Sequence, residues 1–138
     1  MDASQVEDGI DSFGDRPRDG RGEIVSHAQA IRAAVAEAVL ADQIGIEVVA
    51  LGERHRPEYA ISSPESVLAG IATVTERIRL ASGVTVLSSD DPVRVFQRFA
   101  TVDALYPERM SRPPSCEHSP QPGRLPVREA LRTASART

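Results

Sequence analysis

The stretch IEVVALGERHRPEYAISSPESVLAGIATV, residues 46–74, holds a strand, a charged turn and a helix in immediate succession. IEVVAL is mostly apolar or β-favouring and stops at Gly52, the pattern of a short buried strand. Ser63 and Pro64 then read as a helix cap and a first helical residue, because proline lacks an amide that the first turn would leave unbonded anyway. Val67, Leu68, Ile71 and Val74 follow at helical spacing and form one apolar face.

The same unit recurs on both sides. Upstream, Ser26 can cap the Ala-rich HAQAIRAAVAEAVLADQIG, residues 27–45. Ile31, Ala34, Val35, Ala38 and Val39 share a face there, and Gly45 stands where a helix end favours a left-handed residue. Before it, VEDGIDSF (6–13) is a short strand candidate, and GDRPRDGRGE has the Gly, Pro and Asp of a loop. Downstream, RIRLASGVTVLSS (77–89) is expected to form a third strand, with Ile78, Leu80, Val84, Val86 and Leu87 apolar. Asp91 and Pro92 repeat the cap and proline signal, and Val95, Phe96, Phe99, Val102 and Leu105 supply a helical face. The order β-α-β-α-β-α implies parallel strands joined by right-handed crossovers and covered by helices. The fold class is therefore α/β, either a doubly wound sheet or a (β/α)8 barrel.

A chain of 138 residues with 41% apolar residues suffices for one globular domain with a core. All 16 basic residues are Arg, which reflects the coding bias of a GC-rich genome. The net charge of −4 argues against nucleic-acid binding, which normally leaves a basic footprint. The single cysteine, Cys116, rules out an intramolecular disulfide and suits a reducing compartment. The N-terminal MDASQVEDGIDS is acidic and lacks the apolar core of a secretory signal. No apolar run approaches the roughly 20 residues of a membrane span. A cytoplasmic protein without membrane contact is expected.

Composition changes after Leu105. Residues 106–138 hold six of the ten prolines, and carry six Arg against three acids, where residues 1–105 carry 10 Arg against 17 acids. This divides the chain into an α/β unit, 1–105, and a Pro/Arg-rich tail, 106–138, too poor in apolar residues to offset its ordering entropy. The tail is expected to be disordered, with at most a short helix near VREALRTASA (127–136). A shifted reading frame in GC-rich DNA would produce the same composition.

Parallel α/β folds act on ligands where strands end, since loops there are open while strand bodies are packed. Three segments qualify: Ser12, Phe13 and Gly14; residues 52–56; and residues 87–91. Within the second, His55 can shuttle a proton with Glu53 fixing its tautomer, or Glu53 can form an ordinary solvated ion pair with Arg54 or Arg56. Glu53, His55, Asp90 and Asp91 have metal-ligand chemistry but no recognised ligand spacing, and Asp91 serves better as a cap, so no metal is expected. Gly83 marks either the close approach of a flat ligand or a bulge with tight packing. Neither a G-x-G-x-x-G nor a P-loop is present, which disfavours a dinucleotide site of Rossmann type.

GIDSFGD (9–15), SHAQAIRAAVAEAVLADQIGIEVVALGERHRPEYAISSP (26–64) and TERIRLASGVTVLSSDDPVRVFQRFATVDAL (75–105) together resemble the N-terminal part of bacterial luciferase-like, flavin-dependent monooxygenases. The resemblance implies a TIM barrel of which this chain holds the first three strand-helix units, truncated before the rest. It also implies reduced FMN, or a deazaflavin in some branches, used with oxygen on a small organic substrate. A separate flavin reductase would supply the reducing equivalents. The family's Glu-His-His after the second strand matches Glu53, Arg54 and His55, so Arg54 stands where the first histidine does catalytic work. An arginine there suits an anionic flavin or substrate. Ser82, Gly83 and Val84 resemble the segment behind the flavin ring, where a non-proline cis peptide would fall between Gly83 and Val84.

After Leu105 such proteins continue with something like Leu-Ser-Gly-Gly-Arg and a fourth strand, whereas this chain reads LYPERMSRPPSCEH. Three units cannot close an eight-stranded barrel. An unpaired last strand opens a route to pairing with another chain, a homo-oligomer included, and a non-catalytic association module is the alternative reading.

Overall fold

A computed structural model describes residues 7–110. Its elements are β1 (Gly9–Ser12), α1 (His27–Ile44), β2 (Val48–Leu51), α2 (Pro64–Val74), β3 (Arg79–Ser82) and α3 (Pro92–Leu105). The strands are parallel and lie side by side in chain order, β1-β2-β3. With α1 packed on α2 and α2 on α3, the third helix stays beside the second, so the three units form a sector of a TIM barrel.

Register decides which side chains reach the helices. Ile10, Val49 and Leu80 are aligned across the sheet, as are Ser12, Leu51 and Ser82. Val49, Leu51 and Leu80 are fully buried against Ala34, Ala38 and Ala41 of α1 and Leu68, Ile71 and Ala72 of α2, with Ile61 and Ile78 completing the core. Small residues on α1 let its backbone approach the sheet, and the buried stripe is Ala30, Ala34, Ala38 and Ala41. The face expected around Ile31 and Val39 is therefore turned slightly away, leaving both half-buried.

The helix starts obey the local signals. Ser26 Oγ accepts the Gln29 amide at 3.3 Å while Gln29 Oε1 accepts the Ser26 amide at 2.9 Å, a reciprocal capping box. Gly45 closes α1 at φ 88°, where a Cβ would be strained. Asp91 Oδ1 accepts from Val93 and Arg94 at 2.9 and 3.0 Å, whereas Ser63 makes no side-chain cap and leaves that role to Pro64. On α3, Val95 and Val102 are buried as expected, but Phe96 and Leu105 are exposed because they face away from α2 and the sheet.

Two expectations need correction. The third strand ends at Ser82, so Val84, Val86 and Leu87 lie in the following loop, with Val84 and Leu87 exposed. The ladder stops there because Val84 O and the Val86 amide bond to Glu53 instead of continuing along β2. Packing also continues past Leu105, where composition changes. Arg109 donates to Ile78 O at 2.8 Å and to Thr75 O and Oγ1 at 2.9 and 2.7 Å, and its carbonyl accepts the Leu80 amide. Met110 then forms an isolated parallel bridge to Leu80 on the outer edge of β3. Residues 111–138, with the expected disorder and short helix, lie outside the described residues.

At the amino end of the strands, buried Asp42 accepts the amides of Glu76, Arg77 and Ile78 at 2.9, 2.9 and 2.7 Å. Burial, the largest influence, opposes its ionisation, but the three amides and the Arg77 charge outweigh it and hold the carboxyl below the usual carboxylate range. Among the described residues no helix is long and apolar enough to cross a membrane.

Candidate functional site

The carboxyl ends of the strands open into loops 13–25, 52–63 and 83–91. The first two are sewn together: Gly14 O accepts the Ala60 amide at 2.8 Å and Phe13 O that of Ile61 at 3.2 Å, while Arg16 Nη1 donates to Pro57 O at 2.6 Å. Gly14 sits at φ 68°, and a Cβ there would stand 2.7 Å from Ile61 Cγ1. The Phe13 ring lies flat against the backbone of Gly52, where a Cβ would be 2.0 Å from Phe13 Cε1. Glycine at the end of β2 is therefore what admits the ring.

Phe13 in turn holds Arg54. The guanidinium carbon is 4.5 Å from the Phe13 centroid and 5.9 Å from that of Tyr59, whose ring meets Phe13 edge-on. Cation–π contact fixes an exposed arginine at the mouth of the strands without neutralising it. Arg56 pairs with Glu58 at the surface, 3.4 Å away. Neither arginine takes Glu53, so the ordinary Glu53–Arg ion pair does not form.

Glu53 instead turns inward and is only 6% exposed. Its Oε2 accepts the Val86 amide at 2.9 Å, its Oε1 lies 2.5 Å from His55 Nε2, and its own amide donates to Val84 O at 3.0 Å. Burial is the largest influence and would raise the carboxyl pKa. The Val86 amide, the His55 contact and the positive field of Arg98 together lower it below the usual range. An ionised carboxylate only accepts, so His55 presents Nε2–H to it and keeps Nδ1 free on a side chain that is 51% exposed. Such a ring can take or release a proton at Nδ1 while its orientation is held from behind.

Ser82 Oγ and Thr85 Oγ1 are 2.7 Å apart and close the turn after β3. The Gly83–Val84 peptide within it is cis, at the position expected. A Cβ on Gly83 would lie 3.1 Å from Ala50 Cβ, so tight packing between strands already calls for glycine. Thus the structure brings Glu53, His55, Ser82, Gly83 and Val84 into one neighbourhood and puts Arg54 on its Phe13 side.

Asp90 and Asp91 are placed elsewhere. Asp91 caps α3, and Asp90 pairs with Arg98. Among the described residues no group of three or more His, Cys, Asp or Glu side chains is arranged to hold a metal. Sequence reasoning missed Arg98, whose Nε also lies 3.2 Å from Glu65 Oε1, an ion-pair distance without hydrogen-bond alignment. Its nearest signal was the pair of opposite charges Asp90 and Arg98 eight residues apart, while its approach to Glu65 exists only once α2 and α3 are packed.

Known proteins resemble this chain in sequence and fold. The chain is 30% identical to apo-MsnO8, with a TM-score of 0.69 over 93% of this chain and 36% of that one. The oxygenating constituent of 3,6-diketocamphane monooxygenase from Pseudomonas putida, a type II Baeyer-Villiger monooxygenase solved with FMN, superposes with a TM-score of 0.62 at 24% identity, over 72% of this chain and 26% of that one. The 4-hydroxyprotoasukamycin monooxygenase of Streptomyces nodosus subsp. asukaensis is 42% identical over 65 residues, 46% of this chain and 18% of that protein. The chain spans 18–24% of the length of the curated relatives it matches. The model of the luciferase-like monooxygenase family matches residues 13–111, most of the chain, and with the barrel sector and its strand-end loops this establishes that the chain belongs to that family.

Proposed function

We propose that this chain forms the β2–β3 wall of a flavin-dependent monooxygenase site that uses reduced FMN and oxygen on a small organic substrate. The observation that carries the proposal is the Glu53–His55 pair, a buried carboxylate orienting a half-exposed imidazole at the carboxyl end of β2. Family membership and the FMN complex of the Pseudomonas putida relative support it.

The residues suit such a cofactor. Gly83 presents no side chain and Val84 is 62% exposed, an apolar surface fit for a ring system, and Ser82 precedes them in the same turn. Arg54, held as a free cation on Phe13, is placed for an anionic flavin or substrate group. Reduced flavin would supply the electrons that activate oxygen. His55 Nδ1 would exchange a proton with the substrate side, and Glu53 would keep the ring turned toward it. A cytoplasmic setting with a separate flavin reductase belongs to the same proposal.

Titration of the recombinant chain with FMN, and in parallel with a deazaflavin, tests it. Quenching of flavin fluorescence at micromolar concentration is the expected result; no quenching at high micromolar concentration of either rejects the site in this chain.

A second reading has its own support. The outer edge of β1 is unpaired among the described residues and Ile10 on it is 36% exposed. Such an edge suits a non-catalytic association module that pairs with another chain. Light scattering showing a monomer that binds flavin and melts cooperatively would reject it.

A further inference from the structure

Glu53 bonds to two things that nothing in the sheet requires to be joined. The β2–β3 ladder is complete when the Gly83 amide reaches Leu51 O at 2.9 Å. Beyond it, among the described residues, Glu53 carries the connection, by its amide to Val84 O and by Oε2 to the Val86 amide, while Oε1 holds His55 Nε2. One buried side chain thus links a half-exposed ring to a loop 33 residues further along the chain.

We propose that Glu53 is a positioning residue that couples the tautomer and protonation of His55 to the placement of residues 83–86. The functional meaning of this coupling rests on the reading that residues 83–86 face the flavin; the coupling itself does not. When the His55 ring gains a proton, the charge on it draws electron density of the carboxylate toward Oε1 and weakens the pull of Oε2 on the Val86 amide. The charged groups around Glu53 are His55 from its own loop and Arg98 from α3, the latter engaged with Glu65 of α2 and Asp90 of the β3–α3 loop.

Glutamine at position 53 makes a sharp test because a carboxamide has one accepting and one donating end. Its oxygen can keep the Val86 amide only if its NH2 faces His55, which forces the neutral ring to accept at Nε2 and carry its proton on Nδ1.

The experiment is a pH titration of isotope-labelled protein followed by NMR. In the wild type the neutral ring is expected as the Nε2–H tautomer, and the Val86 amide signal is expected to move in the same step as the His55 ring signals. In Glu53→Gln the neutral tautomer switches to Nδ1–H and the shared step at Val86 is lost. In His55→Ala, a change at a half-exposed site that leaves the core intact, the Val86 step disappears as well. A wild-type ring with the proton on Nδ1, or a Val86 amide that ignores His55 in the folded protein, overturns the proposal. Should the glutamine variant not fold, a Val86 step that survives in His55→Ala overturns it equally. FMN binding by the same samples is read separately, so loss of the flavin reading and loss of the coupling are distinguishable.

Discussion

Asp42 and Glu53 are two buried carboxylates at opposite ends of the same sheet. Both are held below the usual carboxylate range against the cost of burial. They differ in what holds them. Asp42 spends its oxygens on three backbone amides at the start of β3, all internal to the fold. Glu53 spends one oxygen on a backbone amide and the other on a ring open to solvent. The first arrangement can only hold, whereas the second can also respond. That division matches the barrel's general rule that the amino-terminal face serves stability and the carboxyl-terminal face chemistry.

Removing Asp42 should break the molecule most. Asp42→Ala leaves three amides without their acceptor, the Ile78 amide buried and those of Glu76 and Arg77 half-buried, at an expected cost of about 3 kcal/mol, seen as a fall in the urea midpoint. Gly52→Ala comes next, about 2 kcal/mol, because its Cβ drives the Phe13 ring off the backbone, and it should also free Arg54, seen in the Phe13 and Tyr59 ring signals. Glu53→Ala should cost less than Asp42→Ala, about 1 kcal/mol, since it strands one amide rather than three, yet it should abolish FMN quenching where the other two keep some. Arg54→Ala should change the melting behaviour least, about 0.5 kcal/mol, while weakening FMN binding.

A pH series sharpens the same contrast. Both carboxyls have folded pKa values below their unfolded ones, so each contributes stability that is fully present above about pH 5 and drains away as pH falls through the depressed folded value. Urea midpoints measured downward in pH should show a flatter acid limb in Asp42→Asn than in the wild type. Glu53→Gln should flatten it as well, and an unchanged acid limb in that variant would mean that the Glu53 carboxyl is not held below its unfolded value.

Local signals carried the helices. Ser26 with Gln29, Asp91 with Pro92, and Gly45 act on atoms within a turn of themselves, so their spacing in the chain is their geometry. The third strand misled because Val84, Val86 and Leu87 alternate like a strand while the bonds that would extend it go to Glu53. The candidate site was legible as a neighbourhood: residues 53–55 were placed at a strand end, and the family resemblance put residues 82–84 beside the same ligand. Its wiring was not legible, since the solvated pair of Glu53 with a neighbouring arginine gave way to His55, and Arg98 carried no mark of its reach.

The sequence alone determined the alternation of strands and helices, the starts and stops of the helices, and the family pattern that runs from β1 to α3. Only the tertiary structure decided that Glu53 grips Val86, that Asp42 caps the start of β3, that Phe13 covers Gly52 and that Arg109 and Met110 stay with the core. The physical reason is range. A cap or a turn is closed by residues a few positions apart, whereas these contacts span about 30 to 40 residues and exist only once strand register has brought distant segments together.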